Sequence, residues 1–560
     1  MMKIENKVLS EYENMKLLSY KELPADFSEG VYWDELKDLY VPGVLKGCFH
    51  DESGRLKLLF SEKDNHVGVI AATRLGKTTS YIIPTVLAFA IQKIKRNMVI
   101  CDPKGEIYQA CAATLQKEGY EVKLLNFRDQ DHSEYWNKMT EIYRAYVRAK
   151  HTIDEVELIE EGGVAKNRFL GRIYDDLEKL ERAINEMQMR RESEVDKMIS
   201  SFALMVCPTF SSKDPTWEDG ARQLFEAFIY GMLEDSERRD NPITEHNFSM
   251  NTLIKILDSI VVGDSEVNDN GFFTSRNDDS KALTMARDIL ISTPRATRAG
   301  YYATLTTKIS AFREVTTRTI TSCNSFEFSE LMKGKPVAIF IDFRDEIRLS
   351  YQTIQLFIQS LYTFLIGEAN KITPFHKLEV PWYFVLDEFG NFPAIKDFDT
   401  VISACAGRNI WFILVMQSYA QLENVYEGKV AKIVRDNLNV KVFFGSNDYT
   451  TLKEFSNECL LMTRIAPSGA LNGEGENILA REIETIPLVT MSTLAQLEAG
   501  DCLVREVNKP VLASRMERYF TCAEMKDLPK ANEADYVCKK VDPFDKKYLF
   551  RVRKAKKRGF

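Results

Sequence analysis

Long apolar runs are missing from this 560-residue chain: the longest, Tyr81 to Ile91 and Trp411 to Met416, fall far short of the roughly 18 residues that a membrane-spanning helix needs. The opening stretch, MMKIENKVLSEYENMK, is charged and polar and has no apolar segment of the secretory type. Together these predict a soluble chain. Paired-cysteine motifs are also missing. The 10 cysteines include no CxxC and the 6 histidines no HExxH, which predicts a reducing compartment and no zinc site. Compositional bias is absent as well: 45% hydrophobic and 28% charged residues are ordinary for a folded protein, so wholesale disorder is excluded. The length accommodates roughly three to four domains, or fewer if one α/β sheet is large.

An overall excess of positive charge is lacking, since the net charge is −8, but the charge is unevenly spread. From Lys539 to Phe560, ten Lys and Arg face only Asp542 and Asp545, a net of +8 that leaves −16 for the rest. Such a tail suits nucleic-acid phosphates or an anionic membrane surface, the alternative being a solvated end.

What is present begins at residues 66–83, HVGVIAATRLGKTTSYII, where an apolar strand-like run stops at a small-residue turn and restarts as a helix. Ala71 leads through Ala72, Thr73, Arg74 and Leu75 to Gly76, Lys77 and Thr78, the spacing of a phosphate-binding loop, with Ala71 standing where the usual pattern has glycine. Backbone N–H groups of residues 72 to 79, closing with Thr79, converge on phosphate oxygens, helped by the dipole of the following helix. Lys77 reaches the β- and γ-phosphates in such a loop, and the Thr78 hydroxyl sits on Mg²⁺. The alternative is an ordinary strand-turn-helix with a solvated lysine.

Residues 1–60 predict a cap or edge hairpin. A strand at Met98–Cys101 ends in Asp102-Pro103-Lys104-Gly105-Glu106, and polar residues at the carboxyl end of a parallel strand lie where open α/β sheets bind ligands. Asp102, Lys104 and Glu106 are therefore candidate site residues, or else a capped turn. From about Trp136 to Phe326 the pattern turns helical. Leu170, Ile173, Tyr174, Leu177, Leu180, Ile184 and Met187 follow an amphipathic period, and further helices are predicted at 195–205, 217–233, 253–260 and 282–290. Buried-strand runs resume at Pro336–Phe343. The run Trp382 to Leu386 then ends in Asp387 and Glu388, placed to hold Mg²⁺ and to polarise an attacking water. Strand Ile410–Met416 ends at Gln417, a candidate water-orienting or γ-phosphate-sensing residue. Arg408 precedes that strand, so it should lie at the opposite sheet edge and act, if on phosphate, on a neighbouring subunit's; the alternative is a surface salt bridge. Residues 467–477, PSGALNGEGEN, predict a flexible loop.

Taken together, ATRLGKTT, VICDPKGE, YFVLDEFGNFP, AGRN and MQSYAQLENVYE resemble the TraG/TraD family of conjugative, type IV secretion coupling proteins. The likeness covers roughly residues 60–140 and 330–460, with DPTWEDGARQLFEAFIYGMLED similar to that family's helical domain. It implies an α/β fold, a RecA-like P-loop NTPase with a mostly parallel central sheet and an inserted all-α domain. The implied organisation is an amino-terminal cap (1–60), two parts of a nucleotide-binding domain (61–135 and 327–520), the insertion (136–326) and a basic tail (521–560). It also implies ATP and Mg²⁺, DNA bound without strong sequence preference, single-stranded and relaxase-linked, a type IV secretion channel, and a homo-hexamer when active. Residues 72–79 would bind nucleotide, Thr78 and Asp387 the metal, and Glu388, Arg408 and Gln417 would serve hydrolysis. The family usually begins with transmembrane helices. None is present here, which implies either docking on a separate membrane-anchor protein at the inner face of the cell membrane or an anchor that was removed. A double-stranded DNA pump and a non-hydrolysing substrate adaptor are the competing readings.

Overall fold

Segments apolar at every position become strands covered on both faces, and those apolar at alternate turns become helices that cover them. The structure, a computed structural model, describes residues 18–19, 30–161, 164–209, 215–238, 242–260, 271–346, 348–471, 477–538, 541–548 and 550. In chain order the first strands are β1 (Leu18–Ser19), β2 (Gly30–Tyr32), β3 (Leu45–His50), β4 (Leu56–Phe60), β5 (Val67–Ala71), β6 (Asn97–Asp102) and β7 (Glu121–Asn126). Next come β8 (Glu157–Glu161), β9 (Val164–Phe169), β10 (Arg172–Tyr174), β11 (Val337–Asp342), β12 (Trp382–Leu386), β13 (Ile410–Met416) and β14 (Val440–Gly445). The last are β15 (Leu461–Leu471), β16 (Asn477–Pro487), β17 (Asp501–Glu506) and β18 (Leu512–Arg515).

The chain divides into two compact units. The first holds residues 1–126, 331–346 and 362–536, and the second holds 127–330, 347–361 and 537–560. The first unit is built on a ten-stranded sheet in the order β1-β18-β17-β14-β5-β13-β12-β6-β11-β7. Its seven strands from β14 to β7 run parallel; β17 pairs antiparallel with β14, β18 antiparallel with β17, and β1 ends that side parallel to β18. Every residue of β5, β6, β11, β12 and β14 is buried. The helix Ile83–Ile91 is buried at all nine positions, as its apolar circumference requires. The segment expected as an amino-terminal cap carries a separate antiparallel sheet, β2-β4-β3.

The second unit is mainly helical. A 30-residue helix, Leu177–Val206, packs with Lys138–Lys150, where Arg191 reaches Glu155 at 2.6 Å and the Thr152 hydroxyl at 3.2 Å. Helix Thr216–Glu234 packs against Lys281–Arg287 and Arg295–Lys308. This unit also carries the antiparallel sheet β10-β9-β8, in which Ile173 and Tyr174 lie, and Leu170 sits in the turn before β10 at φ 49°. The helical period read through those three residues begins only at Leu177, because the strands before it, ELIEE, VAKNRF and RIY, carry no apolar–polar alternation that would mark them as strands. The predicted loop 467–477 is likewise corrected. Pro467–Leu471 continues β15 and pairs with Asn477–Arg481 of β16, since a two-stranded ladder asks only for backbone partners; residues 472–476 lie outside the described residues. Of the basic tail, residues 539–540, 549 and 551–560 lie outside them too. Among the described residues no helix is long and apolar enough to cross a membrane.

Candidate nucleotide-binding site

Parallel strands bring their carboxyl ends to one edge, so the turns after β5, β12, β13 and β6 become neighbours however far apart they lie in sequence. The turn after β5 is shaped by two left-handed residues, Arg74 at φ 72° and Gly76 at φ 93°. A Cβ on Gly76 would lie 2.8 Å from the Ser80 hydroxyl, so glycine is required there for space as well as for φ. The Ala72 N–H donates to the carbonyl of Gly445 at the end of β14 (2.9 Å), tying the loop to the next strand. After Gly76 the chain enters a wide helical turn, Lys77–Ile82, that continues as the helix Ile83–Ile91.

Lys77 and Thr78 meet the acidic pair at the end of β12. The Lys77 ammonium donates to Glu388 and lies 3.4 Å from Asp387 Oδ1, and the Thr78 hydroxyl donates to Asp387 Oδ2 at 3.1 Å. Asp387 Oδ1 also accepts the Glu388 N–H at 2.9 Å. Gln417, from the end of β13, donates to Glu388 Oε2 at 3.1 Å and accepts from the Thr73 hydroxyl at 3.3 Å. The structure thus brings Thr73, Lys77, Thr78, Asp387, Glu388 and Gln417 together; Leu75 and Thr79 flank the turn, and Arg74 points to solvent.

Burial governs the electrostatics. It draws the Lys77 ammonium down, but Asp387 and Glu388 outweigh it and hold the group above the usual lysine range. Burial pushes the Asp387 carboxyl up; Lys77 opposes this and Glu388 adds to it. The lysine is thereby a counter-ion parked on two carboxylates, free to transfer to a stronger anion.

Two residues of this cluster were missed in the sequence. The Asn391 side chain donates to Glu388 Oε2 at 3.4 Å, and Gln421 Oε1 accepts the Gln417 N–H at 3.0 Å. Their only signals were Asn391 three residues past Glu388 and the i, i+4 spacing of the two glutamines. Glu388 itself adopts φ 55°, which turns the chain sharply off β12 and aims its carboxylate back toward Lys77.

Arg408 is not brought in. It precedes β13 at the opposite end of the sheet, where its guanidinium donates to Asn370 Oδ1 (3.1 Å) and the Ala404 carbonyl (2.8 Å). Of the three candidates after β6, Asp102 reaches the site's edge, being the strand-end neighbour of both Asp387 and Asp342. Glu106 is half-buried at the start of the helix Glu106–Lys117, and Lys104 is exposed. Asp102 is wholly buried. Its Oδ2 accepts the Tyr108 N–H at 2.7 Å, and its Oδ1 accepts no hydrogen bond.

Burial pushes the Asp102 carboxyl up to about 7, with Tyr108 opposing and Asp387, Glu106 and Glu533 adding. Because the folded chain then holds a proton that the unfolded chain has released, the stability it carries is full below the unfolded value and is lost as pH rises through about 7. Asp102→Asn should flatten that decline and raise stability at pH ~8 by on the order of 2–4 kcal/mol. Denaturation midpoints of both proteins at acidic and alkaline pH check this; equal slopes would refute it.

Against this geometry, residues 28–533 match the family described as Type IV secretory system Conjugative DNA transfer. The chain belongs to that family. It is 32% identical over 102 residues to the conjugal transfer protein TraG of Escherichia coli, a stretch that is 18% of this chain and 15% of TraG, so the chain spans only a small part of that relative. Its fold is that of the bacterial conjugative coupling protein TrwBdeltaN70 in complex with sulphate, with a TM-score of 0.58 at 14% identity over 91% of this chain and 96% of that one. The plasmid coupling protein TrwB in complex with the non-hydrolysable ATP analogue ADPNP gives a TM-score of 0.53 at 15% identity, over 87% and 94%. The family's RecA-like P-loop architecture is therefore the architecture of the ten-stranded unit.

Proposed function

We propose that this chain is an ATP-driven coupling protein that recruits relaxase-bound DNA and delivers it to a type IV secretion channel. The observation that carries this reading is the convergence of Lys77 and Thr78 with Asp387, Glu388 and Gln417 at one sheet edge, in a chain of the conjugative DNA-transfer family. The donor set fits ATP and Mg²⁺: a hydroxyl and a carboxylate 3.1 Å apart are the hard oxygen ligands that magnesium takes, and a lysine held only by carboxylates can exchange them for phosphate. Thr78 and Asp387 hold the magnesium, which neutralises phosphate charge when bound. The backbone of residues 72–79 cradles the phosphates and Lys77 grips the β- and γ-oxygens.

Glu388, released from Lys77, accepts the proton of the attacking water, and Gln417 and Asn391 keep its carboxylate in place. Catalysis is then positioning and charge stabilisation, as phosphoryl transfer demands. Arg408 serves the neighbouring subunit of a homo-hexamer. The nucleotide-binding parts are residues 61–135 and 327–520, the helical insertion 136–326 meets the relaxase, and the amino-terminal cap 1–60 and the tail 521–560 flank them. Location at the inner face of the membrane follows from contact with the secretion channel.

The test is the ATPase rate of the full chain with and without single-stranded and duplex DNA, across protein concentrations. A rate stimulated by single strands and rising with assembly is expected. Stimulation by duplex alone would instead favour a double-stranded DNA pump, and no turnover under any condition would leave the adaptor reading.

A further inference from the structure

Away from the phosphate loop, β3 and the segment after β18 bring together side chains of a different chemistry. Cys48 and His50, two residues apart, lie on one face of β3. Glu517 and Cys522 follow β18, whose continuation runs beside β3: the Glu517 N–H donates to the Cys48 carbonyl at 2.7 Å, and the His50 N–H to Glu517 Oε1 at 3.1 Å. His50 Nδ1 then lies 2.7 Å from Glu517 Oε2, and the Cys522 thiol donates to that same oxygen at 3.7 Å. The ligand atoms of His50, Glu517 and Cys522 all fall within 4.8 Å of one another. On the far side of the ring, His50 Nε2 is 3.4 Å from Glu524 Oε2.

We propose that His50 Nδ1, Glu517 Oε2 and Cys522 Sγ form a zinc site that fastens the segment after β18 to the amino-terminal sheet. Four observations support it. The separation of the Cys522 sulfur and the Glu517 oxygen is already close to the roughly 3.5 Å edge of a tetrahedron with Zn–S bonds of about 2.3 Å and Zn–O bonds of about 2.0 Å. The second imidazole nitrogen faces a carboxylate, Glu524, the arrangement that orients a zinc-binding histidine and raises its basicity. The cluster also lacks a cation: among the described residues, Glu517 and Glu524 form ion pairs with His50 only. Finally, a thiolate, an imidazole and a carboxylate favour zinc over magnesium or calcium, which take oxygen alone.

Binding balances simply. Zn²⁺ displaces the proton of the Cys522 thiol and the one shared by His50 and Glu517, and no electron is exchanged. Water completes the coordination on the half-exposed side, where the His50 side chain is 29% and that of Glu517 21% accessible. Cys522 is itself buried, as is Cys48 on β3. The fastened segment runs on across the helix Glu106–Lys117, with the Ala531 N–H donating to the Gln109 carbonyl at 2.9 Å and the Thr114 hydroxyl to the Pro529 carbonyl at 3.3 Å. A clamp at Cys522 therefore restrains a strap that covers the helix following Asp102.

The experiment is a cobalt(II) titration of the full chain, metal-stripped and reduced, followed by zinc analysis after dialysis. A thiolate-to-cobalt charge-transfer band saturating at one equivalent, and one zinc retained per chain, are expected. Cys522→Ser should abolish the band, and His50→Gln or Glu517→Gln should weaken binding by about 100-fold or more, beyond what loss of a supporting hydrogen bond alone produces. Cys538→Ser, which removes the half-exposed thiol of the other unit, should leave the band unchanged. No band in the unaltered chain, a band surviving in Cys522→Ser, or a Cys48–Cys522 disulfide formed in preference to metal uptake would overturn the proposal.

Discussion

Glu388→Gln is expected to lower ATP turnover by about 10²–10⁴-fold, the range removed with a general base, while leaving nucleotide binding intact or tighter. The amide keeps an oxygen to accept from Gln417 and Asn391, which now bond Glu388 Oε2 at 3.1 and 3.4 Å, so the local geometry survives the change. What disappears is the negative charge. Without it, Lys77 keeps only Asp387 as a counter-ion and transfers more readily to phosphate. Steady-state turnover and titration with a non-hydrolysable ATP analogue separate the two effects. Turnover at the unaltered rate in Glu388→Gln would remove this side chain from the proton-accepting role.

Arg408→Ala is expected to cost about 10³–10⁵-fold in assembled protein, the magnitude of an arginine supplied across an interface. Within one chain this side chain has no route to the phosphates, because the seven residues of β13, at about 3.3 Å each, put roughly 20 Å between its base and Gln417. Its two hydrogen bonds, to Asn370 and the Ala404 carbonyl, are of the kind worth about 1 kcal/mol each, so little holds it back from a partner's anion. Mixing supplies the decisive control. Lys77→Ala lacks the phosphate grip but keeps Arg408, and Arg408→Ala keeps the grip, so a mixed ring should regain turnover that neither variant has alone. Full activity of Arg408→Ala, or mixtures no more active than their components, would assign the residue to its local contacts only.

The legible part of the molecule was the part written in short-range pattern. β12 and β13 were predicted residue for residue and β6 and β11 to within one residue at each end, because a strand covered on both faces must be apolar throughout. The turn after β5 was legible for a related reason: it needs Gly76 in the left-handed region, with Lys77 and Thr78 directly after it facing the acidic pair. Where pattern was diluted, it misled. β8 to β10 carry no apolar–polar alternation, and the Pro-Ser-Gly of residues 467–469 looked like loop although the backbone there pairs in a ladder.

Pattern along the chain was enough to give the buried strands, the tight turn at Gly76 after β5, and the pair of acids that ends a strand downstream of it. Only the tertiary structure decided that β6 lies between β12 and β11, which sets Asp102 beside Asp387, and that Asn391 and Gln421 support Glu388 and Gln417. It alone brought His50 to Glu517 across 467 residues of chain, where no motif spacing could reveal a cluster. The physical reason is the same in each case: propensity and periodicity act over a few residues, whereas strand order and the docking of one segment on another follow from which apolar faces bury together, a property of the whole chain.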